Sequence, residues 1–267
     1  MSTLTPAYYT RLAPFRELFA TGAPVLTYHK VGPRPWGARL KGLYVSPKLF
    51  AQQMAELHQA GFRTQTLEAL CEPGKTSAPA ITLTFDDGFE NALRHAVEPM
   101  QRHGFRAIEF LVADRLGQLN DWEMRQGEVP ERLMDAAQIR DWLAAGHEIG
   151  AHTLTHPLLT QIPSAQAREE INASKKKLED LFGVSIRHFC YPYGDYNESI
   201  RDAVRDAGYA TGCTTEFGVN TAKTNLWQVK RVTARYASRS LRGIKTRLKN
   251  LKAFGTRSLS LRNHQQP

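Results

Sequence analysis

Thr84-Phe-Asp-Asp-Gly88 sets two carboxylates side by side, at the end of the apolar run Ala80–Phe85. Adjacent carboxylates repel, and one is driven to take a proton unless a cation stabilises the pair. Gly150-Ala-His-Thr-Leu-Thr-His156 places two imidazoles four residues apart, and Pro157 bars a long helix from running through them. Each motif alone has an ordinary explanation. The aspartates suit a helix N-cap and a turn before Gly88, and an isolated HxxxH suits two surface or capping histidines. Together, two His and one Asp make a facial set for a divalent metal, with positions left open for water and substrate. A cation there also removes the objection to paired carboxylates. One Asp can hold the metal while the other stays free as a base.

These residues need elements that bring them to one place. Pro24–Tyr28 reads as a short buried strand, with His29 directly after it. Ser46 and Pro47 open a helix with Phe50, Met54 and Leu57 on one face, and Gly61 ends it. Ala80–Phe85 is the next strand, and Glu90–Arg102 a helix closed by Gly104. Strand Ala107–Val112, helix Ala136–Ala145, strand His147–Ala151 and the long helix Pro163–Phe182 follow, the last with Ile171, Leu178 and Leu181 inward. His188–Tyr191, Asn197–Ala207, Tyr209–Thr214 and Trp227–Thr233 complete a strand, a helix and two strands. Such alternation implies a parallel sheet covered by helices. About seven strands in this length favour a distorted (β/α) barrel over an open doubly wound sheet, and no GxGxxG fingerprint supports the latter. In a barrel, chemistry collects where strands end. His29, Asp86, Asp87, His152, His156 and the turn Pro192-Tyr193-Gly194 all fall at such exits.

TFDDG, HTLTH and Tyr191-Pro-Tyr-Gly194, in that order, resemble the polysaccharide deacetylases of the NodB-homology class, carbohydrate esterase family four. The likeness covers roughly residues 24–233, and three ordered motifs are far more specific than any one. It implies a distorted barrel and metal-dependent removal of an acetyl group from an amino sugar. Asp86 would then be the general base, and Asp87, His152 and His156 the metal ligands, most simply of zinc. The backbone N–H of Tyr193 would help hold the oxyanion. Two departures stand out. The commonest third motif carries an Arg two residues before its Pro, where this chain has Cys190; and the late Leu-x-His that supplies the general acid is absent. The poly-N-acetylglucosamine deacetylase branch takes its acid from an early Tyr-His segment. Thr27-Tyr-His-Lys-Val31 matches it, which makes His29 the candidate acid. Arg231, in Trp227-Gln-Val-Lys-Arg-Val232, is the candidate to hold Asp86 in place of the missing Arg; a surface position on the last strand is equally open to it. His58, His95, His103 and His147 lie away from the exits and read as structural or solvated, and Trp122 as a packing residue that could also stack on a sugar. Competing readings are an O-acetyl esterase, a non-catalytic glycan- or lipid-binding barrel, and a non-haem iron oxygenase, whose β-rich pattern this chain lacks.

Composition sets the outer limits. The chain has 267 residues, 42% of them hydrophobic, enough for one sizeable core. Three cysteines without CxxC spacing indicate neither a disulfide framework nor a thiolate metal site. Net charge is +9, but twelve Lys and Arg follow the last acidic residue, Glu216. Without them 23 basic residues face 26 acidic ones, so a nucleic-acid partner is not expected. Three segments result: a lead over 1–23, a barrel over 24–237, and a basic amphipathic helix with a polar tail over 238–267. Leu241, Ile244, Leu248 and Leu251 recur at helical spacing among cationic residues in 238–254. That segment is either a barrel-closing helix or an interfacial helix drawn to anionic lipid. With no signal-peptide pattern and no apolar run of about 20 residues, a cytoplasmic protein is expected, peripheral to the inner membrane face if the tail binds lipid. Its substrate would be an N-acetylated saccharide or a lipid-linked sugar.

Overall fold

A computed structural model describes residues 5–71, 79–124 and 127–236. In chain order the elements are α1 (Arg16–Phe19), β1 (Val25–Tyr28), β2 (Lys30–Val31), β3 (Tyr44–Val45), α2 (Pro47–Gln59), β4 (Arg63–Thr64), β5 (Ala80–Asp87), α3 (Glu90–Gln101), β6 (Ile108–Leu111), α4 (Ala136–Ala144), β7 (Glu148–Ala151), α5 (Ser164–Phe182), β8 (His188–Cys190), α6 (Glu198–Asp206), β9 (Thr211–Phe217) and β10 (Val229–Thr233). Neighbouring strands run β1-β10-β9-β8-β7-β6-β5, and β5 pairs back onto β1, closing a seven-stranded barrel in which every pairing is parallel. β4 adds to the start of β5 from outside the ring. The expected distorted (β/α) barrel is the fold.

Local chemistry accounts for the helices. Ser46 accepts from the Leu49 amide ahead of Pro47, which starts α2. Asp135 and Gln138 form a capping box at α4, and Asn197 caps α6 through the Ile200 amide. A layer of Tyr28, Phe50, Phe85 and Trp142 lies between sheet and helices, ring against ring. A smaller group, Val25, Ile108, Phe110, Cys190, Cys213 and Val229, forms a second core cluster. The lead is folded onto the barrel: Leu12, Phe15 and Phe19 are buried, and Tyr9 bridges to Ala234.

Three expectations need correction. The second apolar strand does not stop at Phe85 but runs through both aspartates. The last two strands both start two residues later than expected, at Thr211 and Val229, the second after a 3-10 turn over Leu226–Gln228, and the first runs on to Phe217. Leu181 is 40% exposed rather than inward, because the buried stripe of α5 follows Ala167, Ile171, Ser174 and Leu178, three to four residues apart. The amphipathic segment 238–254 lies outside the described residues. Among the described residues, no helix is long and apolar enough to cross a membrane.

Candidate active site

The barrel mouth is assembled from four strand exits. β5 delivers Asp86 and Asp87 as its last two residues, both buried. Alternation along a strand sends them to different neighbours. Asp86 meets Arg231 of β10, whose Nη1 and Nη2 donate to Oδ1 and Oδ2 at 2.8 Å each. The same guanidinium donates to the Thr214 carbonyl and to Thr84 Oγ1, and its Nη2 lies 3.1 Å from Cys190 Sγ. The Arg expected on the third motif is thus replaced from another strand, and the small Cys190 side chain leaves it room. A register irregularity between Val229 and Arg231, against β9, places Arg231 at this point. Burial by itself raises the Asp86 carboxyl; the Arg231 charge, followed by His29, outweighs it, and the net shift is downward.

Asp87 turns the other way, at φ 80°. Its Oδ1 lies 3.3 Å from His152 Nε2 and 3.2 Å from His156 Nε2. His156 also has positive φ, as do Thr153 between the histidines and Tyr193 across the mouth; these four are all the non-glycine residues in that region among the described ones. Side chains rarely adopt this conformation, and its concentration at one rim is backbone strain held by the surrounding structure. The β7 strand carrying HTLTH passes close under β6: a Cβ at Gly150 would come within 2.6 Å of the Phe110 ring. His152 Nδ1 donates to the Cys190 carbonyl at 2.7 Å, which leaves Nε2, facing Asp87, as the nitrogen that could bind a metal. Packing orients His156 instead. Trp122 stacks on it at 4.5 Å, and Tyr193 meets it edge-on at 4.6 Å.

The donor set fits a divalent metal. One ligand atom from each of Asp87, His152 and His156 lies within 4.8 Å of the others, all three residues are buried, and the His152 tautomer is the one a metal requires. His29 completes the mouth from β1, its Nε2 3.8 Å from Asp86 Oδ2. Burial lowers its pKa, and the pull of Asp86 and Asp87 does not restore it, so the resting imidazole is neutral. Tyr193 stands on a one-turn 3-10 segment after β8, its side chain partly exposed. All seven residues singled out by sequence meet here, and Trp122 packs on a candidate ligand. Of the histidines assigned structural roles, His147 accepts from the Ala107 amide, and His58 and His103 pack against each other.

Two contributors escaped sequence reasoning. Glu109 is fully buried on β6 and accepts from the Gly88 amide at 2.9 Å, bracing the turn that aims Asp87. Burial pushes its carboxyl well above the usual range, the Gly88 amide pulls it partly back, and the nearby aspartates add to the rise. A lone acid in the apolar run Ala107–Val112 was the available signal. Lys30, buried next to His29 in sequence, pairs with Glu123 at 3.1 Å and ties the first strand exit to the loop that carries Trp122.

Comparison with known proteins identifies the family. The candidate polysaccharide deacetylase YxkH of Bacillus subtilis is 26% identical over 213 residues, 78% of this chain and 70% of its own. Chitin deacetylase 1 of Cryptococcus neoformans is 28% identical over 58% of this chain, which spans only 31% of that protein's length. A polysaccharide deacetylase structure from Bacillus cereus superposes with a TM-score of 0.69 at 26% identity, covering 84% of this chain and 68% of the other. Residues 73–212, more than half of the chain, match the polysaccharide deacetylase family, and the chain belongs to it.

Proposed function

We propose that the protein is a metal-dependent deacetylase that hydrolyses the amide of an N-acetylated amino sugar, in a glycan or a lipid-linked saccharide. The observation that carries this reading is one barrel mouth holding an ionised Asp86, fixed by Arg231, beside the Asp87–His152–His156 donor set. Those three residues would hold a divalent ion, zinc by the chemistry of two imidazoles and a carboxylate, and the ion supplies Lewis acidity and a bound water of lowered pKa.

The chain's own groups handle the protons. Asp86, kept ionised by Arg231, accepts the proton of the attacking water at a carboxylate oxygen. The backbone N–H of Tyr193 serves the developing oxyanion, where a fixed donor is worth most. His29 protonates the departing amine. Because its resting imidazole is neutral, the proton it delivers is acquired during the cycle, and Asp86 is the donor 3.8 Å away. The balance closes with acetate and a free amino sugar. The early position of His29 favours the poly-N-acetylglucosamine type of site over the one with a late acid.

The test pairs two variants on a panel of soluble and lipid-linked N-acetylhexosamines, with acetate release and calorimetric metal binding as readouts. Asp86→Asn retains metal and loses roughly 10²–10⁴-fold in turnover. Asp87→Ala loses the metal itself. Near-normal acetate release by Asp86→Asn contradicts the assignment.

A further inference from the structure

Large apolar side chains exposed to water are not spread evenly over this protein. Among the described residues they are Tyr8, Trp36, Leu119, Met124, Leu181, Tyr193 and Phe217. Five of the seven lie on segments at or beyond the C-terminal ends of barrel strands, on the rim that holds the site: Trp36 beyond β1, Leu119 and Met124 beyond β6, Tyr193 beyond β8, and Phe217 at the end of β9. Trp36 is the extreme case, at 99% exposure. A single exposed apolar side chain is ordinary; five on one rim, one of them a bare indole, offer apolar surface for a ligand to cover.

Its presentation is rigid. Gly32-Pro33-Arg34-Pro35-Trp36-Gly37 carries two prolines, which restrict the backbone on the approach to the indole. The Ala38 amide donates to the Pro35 carbonyl at 3.3 Å, and Gly37, with φ 89°, occupies the third position of the turn, where positive φ is required. Directly after the turn, the Arg39 and Leu40 amides both donate to Glu128 Oε2, at 2.8 and 2.5 Å. Glu128 belongs to the segment after β6 that also holds Glu123, partner of Lys30, and Trp122, stacked on His156. A held turn, linked through its neighbours to the wall of the site, therefore presents one bare indole. Rigid presentation lowers the entropy lost on binding.

We propose that Trp36 is an outlying sugar-binding platform. It would stack on the apolar face of a pyranose ring, several residues along a chain whose acetylated unit lies at Asp87, His152 and His156, and so make the protein select an oligosaccharide over a single sugar. This rests on the hydrolytic reading above and deepens it. The occupant is a glycan because the turn tip, Pro35-Trp36-Gly37, carries no charge of its own, although exposed Arg34 and Arg39 flank it, and because Tyr193, 45% exposed beside His156, offers a second ring on the same rim.

The experiment is equilibrium binding, independent of turnover. The full-length protein is titrated with N-acetylglucosamine and with its β-1,4- and β-1,6-linked oligomers of two to six units, followed by calorimetry and tryptophan fluorescence. Affinity rises with chain length in the wild type. Trp36→Ala loses roughly tenfold on the longer oligomers and nothing on the monosaccharide, while Trp36→Tyr recovers most of the loss. The exposed indole's emission shifts to the blue on binding, and Trp36→Phe abolishes that shift. An equal effect on short and long ligands, or no gain of affinity with length, overturns the proposal. So does a Trp36→Ala variant that keeps oligosaccharide affinity and instead loses binding to phosphatidylglycerol vesicles. Length-dependent binding that needs Trp36, in a protein that releases no acetate, leaves the platform standing and sinks the hydrolytic reading.

Discussion

Replacing Arg231 with Met tests how the proposed base is kept charged. The Arg231 and Asp86 side chains are 1% and 4% exposed, so neither can turn to water when its partner is removed. Five polar contacts go with the guanidinium: two to Asp86, and one each to Thr84, Thr214 and Cys190. Breaking a buried pair from one side typically costs about 3–5 kcal/mol, because the remaining charge stays buried and alone. That is a large share of a usual domain stability of about 5–15 kcal/mol. The loss depends on pH in a definite direction. In the wild type the Asp86 pKa lies below its unfolded value, so the pair stabilises the fold above the ordinary carboxylate range and that contribution fades on acidification. In Arg231→Met burial is opposed only by His29 and His152, so the Asp86 pKa rises and the folded state tolerates the protonated acid better. The stability gap between the two proteins is therefore widest at neutral pH and narrows as the pH falls toward about 4. Urea unfolding at several pH values measures it. Asp86→Asn combined with Arg231→Met should be more stable at pH 7 than Arg231→Met alone, since no charge is then stranded. The acid limb of kcat/KM should move to higher pH in Arg231→Met. A pH-independent loss, or one under about 1 kcal/mol, or a double variant no better than the single, refutes this account of Asp86.

Glu109→Leu orphans the buried Gly88 amide behind Asp87, so metal affinity should fall by roughly 10–100-fold while Glu109→Gln, which keeps an acceptor, stays near wild type; calorimetric metal titration separates them. His147 and His188 are buried and both are pushed down to about 4. Between the unfolded value of about 6.5 and that point the unfolded chain binds protons the folded one does not, so stability should drop on acidification across this window, by up to about 3 kcal/mol per histidine. Denaturant midpoints at pH 7 and 4.5 measure the drop, and His188→Asn should shrink it. Removing divalent metal with a chelator should abolish acetate release without unfolding the barrel, as circular dichroism would show, because the seven-stranded ring closes through backbone pairing and apolar packing.

Local chemistry is what a linear reading captures. The capping groups Ser46 and Asn197, the apolar strand runs and the alternation of strands with helices all act within a few residues, and they make a parallel barrel with its polar residues at the strand exits. TFDDG and HTLTH announce a metal-type donor set for the same reason: the spacing of ligands on one segment is itself a sequence property. Contacts between distant segments carry weaker signatures, and the sequence leaves Arg231 open between holding Asp86 and facing solvent. Arg231 reaches Asp86 across 145 positions, through a register shift that depends on how β9 and β10 pair, and Cys190 makes room for it. Glu109 is a lone acid in an apolar strand, and only the fold brings it against the Gly88 amide. The positive φ angles at Asp87, Thr153, His156 and Tyr193, none of them a glycine, are held by the tertiary structure around the mouth. The amino-acid order determined which groups exist and at which strand ends they sit. Only the folded barrel decided which of them touch, which are kept charged, and which, like Trp36, are left facing water, because burial and pairing depend on neighbours far away in the chain.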